Sequence, residues 1–519
     1  IVWVVRQKQN DSADYFLGGR DATWLAIGAS IFASNIGSEH LIGLAGAGAS
    51  SGMAMAHWEI QGWMILILGW VFVPFYSRSM VYTMPEFLER RYNPQSRTIL
   101  SVISLVSYVL TKVAVTVYAG GLVFQQVFGI KELWGIDFFW IAAIGLVVLT
   151  ALYTIFGGMK SVLYTSVLQT PILLLGSLII LVLGFKELGG WDEMMRVCGA
   201  VTVNDYGDTM TNLIRSNDDA NFPWLGALIG SAIIGFWYWC TDQFIVQRVL
   251  SGKNEKEARR GTIFGAYLKL LPVFLFLIPG MIAFALHQKY IGAGGEGFLP
   301  MLANGTANAD AAFPTLVAKL LPAGVKGLVV CGILAALMSS LASLFNSSAM
   351  LFTIDFYKRF RPETPEKKLV GIGQIATVVI VILGILWIPI MRSVGDVLYT
   401  YLQDVQSVLA PGIAAAFLLG ICWKRTSAQG GMWGLIAGMI IGLTRLGAKV
   451  YYSNAGEVAD STFKYLFYDM NWLFFCGWMF LFCIIVVIVV SLATEAPTAE
   501  KIQGLVFGTA TKEQKAATR

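Results

Sequence analysis

The chain has 519 residues, of which 56% are hydrophobic and only 13% charged, with 54 glycines and a formal net charge of +5. A typical soluble domain carries roughly 25% charge, so the composition excludes an ordinary soluble enzyme and indicates an all-α polytopic membrane protein in a lipid bilayer. Basic residues at membrane loops account for the positive charge, with no nucleic-acid partner implied, and the six cysteines (Cys198, Cys240, Cys331, Cys422, Cys476, Cys483) show no CxxC spacing and read as packing residues.

In chain order, Ile1–Val5 read as the tail of a helix that leads into a cytoplasmic segment, together residues 1–21. A spanning helix needs about 20 mostly apolar residues. That criterion predicts spans near residues 22–49, 53–77, 99–128, 135–156, 160–185, 223–248, 261–287, 320–356, 369–391, 398–423, 427–447 and 466–493. A cleavable signal peptide is not expected. Basic clusters follow the second span (Arg78, Arg90, Arg91, Arg97), the sixth (Arg248, Lys253, Lys256, Arg259, Arg260), the eighth (Lys358, Arg359, Arg361, Lys367, Lys368) and the tenth (Lys424, Arg425). Such alternation places those loops in the cytoplasm, and the acidic 186–222 connection and the Asn-rich 288–312 connection outside.

Two sets of five spans, 22–185 and 223–423, flank the long outer loop. Five is odd, so the second set is inverted relative to the first, as in inverted-repeat transporters. Residues 424–493 add two further helices, and 494–519 read as a cytoplasmic tail. The first span of each set has a polar centre: Ala33 to His40 in one, Trp237 to Gln243 in the other. Backbone freed inside a bilayer must be buried in protein or line a cavity, so the matched interruptions point to a binding site.

A mid-membrane charge costs roughly 2.5–3.5 kcal/mol on insertion scales, so such groups face a partner or a wet cavity. Glu59 in the second span and Lys269 in the seventh are such groups, able together to neutralise each other and offer acceptors and donors to a polyol. Gln403 adds an amide beside Asp404 and Gln406. His40 suits hydrogen bonding, since none of the three histidines (His40, His57, His287) has metal-ligand spacing; His57, beside Trp58, reads as structural. Tyr238 and Trp239 present flat faces suited to a sugar ring. In the eighth span, Ser339 and Ser340 could offer hydroxyls to a small hard cation beside carbonyls freed in a broken helix; Ala336 and Ser340 share a face, and Ser339 adjoins it. The same small residues also suit close helix packing.

Asp14–Arg20 (DYFLGGR), Gly28–Gly46 (GASIFASNIGSEHLIGLAG), Thr83–Tyr92 (TMPEFLERRY), Thr150–Thr170, Trp237–Asn254 (WYWCTDQFIVQRVLSGKN) and the Ser339–Ser340 helix, in this order, resemble the solute:sodium symporter family, closest to the sodium/glucose cotransporters. The resemblance implies a LeuT-type five-plus-five inverted repeat with flanking helices, in the cell membrane, importing a glucose- or galactose-type hexose with sodium by alternating access. Myo-inositol, another polyol or an organic anion are the alternative substrates. It further implies sodium held by the carbonyls of Ala33, Ile36 and Ala336 and the hydroxyls of Ser339 and Ser340, and a sugar site of Asn35, His40, Glu59, Tyr238, Trp239, Lys269 and Gln403, with Tyr238 stacking under the ring.

Three departures bear on these expectations. Ser166 stands where the family's sugar transporters commonly carry aspartate, and Ala342 where some members have a second-sodium threonine, so one sodium per substrate is expected. Gly235 replaces a polar residue found three positions before the stacking tyrosine in some members. Family members usually have a full helix before the Asp14 motif and often one after 466–493; here the ends suggest a fragment or an amphiphilic tail. Among rival classes, a membrane enzyme would need a reacting constellation, and HExxH, GxSxG in a suitable turn and GxxxxGK[ST] are not found.

Overall fold

The computed structural model describes residues 11–37, 39–302, 305–394, 398–454, 459–511 and 514, with the side chains of 110–111, 390–394, 398–404 and 454 outside that description. The Ile1–Val5 segment therefore lies outside the described residues. Each of the twelve expected spans is helical, and among the described residues nine helices are long and apolar enough to cross a membrane, with Trp24–Asn35 and Ala114–Phe128 as shorter apolar helices.

Local chemistry sets several boundaries. Thr83 accepts from Glu86 N at the start of Met84–Arg91, Asn93 from Ser96 N at the start of Pro94–Ser107, and Asn254 from Glu257 N at the start of Glu255–Leu268. Each satisfies an amide that has no partner in the first turn. Spans four and five form one helix, Phe138–Leu188, broken where Gly158 adopts φ +53°. A Cβ there would meet the Tyr15 carbonyl and ring, so the position requires glycine both for its backbone and for its neighbour.

The first span is interrupted as its sequence predicts. Trp24–Asn35 ends at Ile36, whose ψ of 86° is non-helical, and helix resumes at Glu39. In the sixth span, Trp224–Gly235 runs through a wide π turn, Phe236–Thr241, to an extended Asp242, and Gln243–Leu250 starts anew with the Asp242 carboxylate as its cap. A third discontinuity falls at Lys269, which caps Glu255–Leu268 and stands in a short turn before the chain resumes toward Ile278–Gly292. The Ser339–Ser340 span behaves differently: Ala323–Met350 is continuous helix through both serines.

Trp24–Asn35 packs on Glu255–Leu268, Ala45–Ser51 on Ile278–Gly292, and Phe138–Leu188 on Ala323–Met350. The last two helices, Ala428–Asn454 and Trp472–Ala493, lie against each other and against Leu398–Cys422. Some basic residues expected to mark loops have other positions. Arg91 is 1% exposed and donates from Nε to the Gly420 carbonyl at 2.7 Å, and Arg97 joins Asp355 (2.7 Å) and Glu89 (2.5 Å). Arg248 is also buried, because the helix that carries it turns its guanidinium inward instead of into a loop.

Candidate substrate and sodium sites

The two interrupted spans and the Lys269 turn converge on one cavity. Its wall includes Asn35, Glu39 and His40 from the first span, Trp58, Glu59 and Gln61 from the second, Ile234, Tyr238 and Trp239 from the sixth, Lys269, and Gln406. Lys269 Nζ lies 2.7 Å from Glu59 Oε2 and 2.7 Å from His40 Nε2, while His40 Nε2 is 3.2 Å from Glu59 Oε1. One imidazole nitrogen cannot both accept from an ammonium and donate to a carboxylate. His40 Nδ1 is buried without a hydrogen-bond partner among the described residues, and Nε2, 2.7 Å from the ammonium and 3.2 Å from the carboxylate, accepts from Lys269. The cluster is then a neutral unit: a lysine–glutamate ion pair with a histidine attached.

Tyr238 closes another side. Asn35 Nδ2 donates to its hydroxyl at 2.9 Å, and the Trp239 ring meets it edge-on at 4.9 Å between centroids. Lys269 Nζ is 5.6 Å from the Trp239 ring centre. Asn35 Oδ1 and Gln61 Nε2 are buried without a hydrogen-bond partner among the described residues. Water centres have about 30 Å³ of room in the cavity, enough for a few waters, so a ring-sized solute requires the lining side chains to separate.

Six of the seven residues expected at the sugar site are thus brought together: Asn35, His40, Glu59, Tyr238, Trp239 and Lys269. Gln403 belongs to Leu398–Cys422, but its side chain is outside the described residues. Gln406, one helical turn onward, lines the cavity instead. Glu39, Trp58 and Gln61 were not singled out by sequence. Gln61 also bears on the departure at Gly235: a Cβ there would approach Gln61 Oε1 to 2.6 Å, so an amide from the second span fills the space a side chain at 235 would need.

The residues expected at sodium lie beside this cavity. Among the described residues no backbone amide is directed at the carbonyls of Ala33 or Ile36, because the helix stops between them. Ser340 Oγ donates to the Ser34 carbonyl at 2.8 Å, and Ser34 Oγ lies 2.7 Å from Ser343 Oγ. Ser340 thus faces freed backbone of the first span directly. A Cβ on Gly37 would stand 2.5 Å from Ser340 Oγ, which explains glycine at this crossing. Ala336 lies in unbroken helix and keeps one carbonyl lone pair free. Ser339 Oγ is 3.3 Å from Ser166 Oγ, whose own hydroxyl donates to the Val162 carbonyl at 2.6 Å. The donor set is all oxygen, neutral and partly backbone, which suits a hard monovalent cation.

A profile of the sodium:solute symporter family matches residues 15–438, the region holding both interrupted spans and the serine helix. The chain belongs to the sodium:solute symporter family. This symporter is 36% identical over 518 residues to human sodium/myo-inositol cotransporter 2, covering 97% of this chain and 76% of the relative. Its structure is similar to a substrate-bound, outward-open sodium-coupled sialic acid symporter, with a TM-score of 0.76, 22% identity, and coverage of 96% and 95% of the two chains. A nucleobase-cation-symport-1 family transporter in a closed conformation aligns with a TM-score of 0.52 at 13% identity over 96% of this chain and 99% of its own. The symporter therefore has the LeuT-type fold, works as a multi-pass membrane transporter, and couples transport to sodium.

Proposed function

We propose that this symporter imports an uncharged cyclic polyol by alternating access, with myo-inositol the first substrate to test and a glucose- or galactose-type hexose the second, taking one sodium per solute. The observation that carries this reading is the Lys269–Glu59–His40 cluster, whose members all lie within 3.2 Å of a neighbour beside the faces of Tyr238 and Trp239. A ring bearing many hydroxyls needs donors and acceptors around its rim and an apolar face for its C–H surface. The cavity offers both, and Asn35 Oδ1 and Gln61 Nε2 supply an acceptor and a donor already desolvated and without a partner among the described residues. Inositol as first choice follows the name of the relative in the preceding section.

An organic anion is disfavoured by the same geometry. Lys269 already has Glu59 as its counter-ion, and Glu39 adds a further carboxylate to the wall. Uptake of labelled myo-inositol, glucose and galactose into proteoliposomes, with and without a sodium gradient, tests the reading. Sodium-driven accumulation of any of these supports it, and transport confined to a carboxylate or amine solute would overturn it.

The single sodium is supported by what surrounds Ser166. Its hydroxyl lies 3.5 Å from Ser30 Oγ, which is 3.2 Å from Arg248 Nε, and Arg248 Nε is also 3.2 Å from Ser34 Oγ. A second cation at Ser166 would meet only neutral hydroxyls, one of them the Ser339 hydroxyl already assigned to the first ion.

A further inference from the structure

Lys112 has no part in the sites above, although it is a buried cation in the middle of a membrane-crossing run. It stands on the wide turn Tyr108–Val113 between Pro94–Ser107 and Ala114–Phe128, with 3% of its surface exposed. Its Nζ lies 2.5 Å from Asp242 Oδ2. The same ammonium sits 4.5 Å from the Tyr238 ring centre, 4.8 Å from that of Phe244 and 5.0 Å from that of Tyr108. Asp242 Oδ1 accepts from the Tyr108 hydroxyl and, at 3.2 Å, from Phe244 N. Both carboxylate oxygens are occupied, and the ammonium is held within an aromatic box one wall of which is Tyr238.

Tyr238 has two sides of use. It lines the cavity of Glu59 and Lys269, and it also lines a second, smaller cavity with Lys112, Thr116 and Phe244 on one side and Ser34, Gly37 and Ser340 on the other. Asn35 and Glu39 line both cavities as well. Tyr238 is therefore part of the partition between the candidate solute cavity and the candidate sodium crossing, and Lys112 approaches it from the latter side.

Holding a charge there is expensive, since replacing a buried ion pair by apolar groups is often neutral or stabilising. A desolvated ammonium 4.5 Å from a ring centre is attracted by the negative face of the aromatic ring, which biases the orientation of that ring. Asp242 is also the residue at which the sixth span breaks and Gln243–Leu250 begins. One ion pair thus ties the tyrosine, the break and the third span together.

We propose that Lys112, locked by Asp242, is a positioning residue that holds Tyr238 in place as the wall beneath the solute, so that losing the lysine charge weakens solute binding and opens a sodium leak. This inference rests on the reading of Tyr238 as the solute platform.

The test uses the full chain in proteoliposomes and whichever of labelled myo-inositol, glucose or galactose the unaltered protein accumulates, alongside ²²Na⁺ influx without solute. Lys112→Met is expected to raise the solute KM at least about 10-fold and to raise solute-free sodium influx, while Lys112→Arg stays within about 3-fold of the unaltered protein. Asp242→Asn keeps a competent helix cap while removing the counter-charge. The Lys112→Met/Asp242→Asn double variant is expected to fall well short of the product of the single effects on KM, as for residues in contact.

Independent, multiplicative effects, or a Lys112→Arg as impaired as Lys112→Met, would overturn the assignment. Tyr238→Ala, measured in parallel, separates the two claims. If it raises KM and Lys112→Met does not, only the Lys112 inference fails; if Tyr238→Ala leaves KM unchanged, the platform reading fails and the inference falls with it.

Discussion

Glu59 and Lys269 show how one pair of charges serves both stability and recognition. Neither is more than 4% exposed, and they lie 2.7 Å apart. Removing one partner of a buried pair strands the other and typically costs 3–5 kcal/mol, roughly, whereas removing both leaves no orphan charge. We expect Glu59→Gln and Lys269→Met each to lower the melting temperature of the detergent-solubilised protein, and the double variant to recover most of that loss while remaining unable to accumulate solute. A double variant no more stable than the singles would show that the pair is not the source of the loss. The pair was legible in sequence because a charge inside an apolar run is rare. Arg248 was read as a loop charge, since a one-dimensional pattern shows where a helix ends but not which way its last side chains turn. Gln61, Glu39 and Trp58 were missed for a related reason: their distinction is that they face the same space as residues far away in the chain.

At the scale of elements, the interruption after Asn35 matters because an unbroken helix crosses it. Gly37 lets the serine helix approach, and Ser340 reaches the Ser34 carbonyl at 2.8 Å. Gly37→Ala should push these elements apart and raise the sodium concentration for half-maximal uptake at least about 10-fold, the equivalent of about 1.4 kcal/mol, with a smaller change in maximal rate; unchanged sodium dependence would show that this crossing does not hold the ion. A second element-level effect lies in the 288–312 connection. Burial pushes the Asp310 carboxyl up to about 6 from its ordinary 3.8, where it sits over Gly46. The folded state then holds that proton more tightly than the unfolded chain, so this residue's contribution is most favourable at low pH and is lost as pH rises from 3.8 to about 6. Asp310→Asn should raise the melting temperature relative to the unaltered protein by more at pH 7.5 than at pH 4.5, and a pH-independent difference would count against it.

For the whole molecule, the sodium stoichiometry sets the thermodynamic reach of transport. With one sodium per solute, the limiting accumulation of a neutral solute at zero membrane potential follows the first power of the sodium ratio. Measured accumulation should therefore double when the sodium ratio doubles, and a fourfold response would establish two ions. The sequence by itself determined the membrane class, the positions of the spans and the two interruptions, because apolar length and polar breaks are local properties of a chain in a bilayer. It also carried the family, through long motifs in order. Only the tertiary structure decided which interrupted backbone meets which helix, that Gln61 occupies the space beside Gly235, that Arg248 points inward, and that Lys112 stands beneath Tyr238. Those facts depend on helix rotation and on contacts between residues more than a hundred positions apart, and packing of the assembled bundle alone sets them.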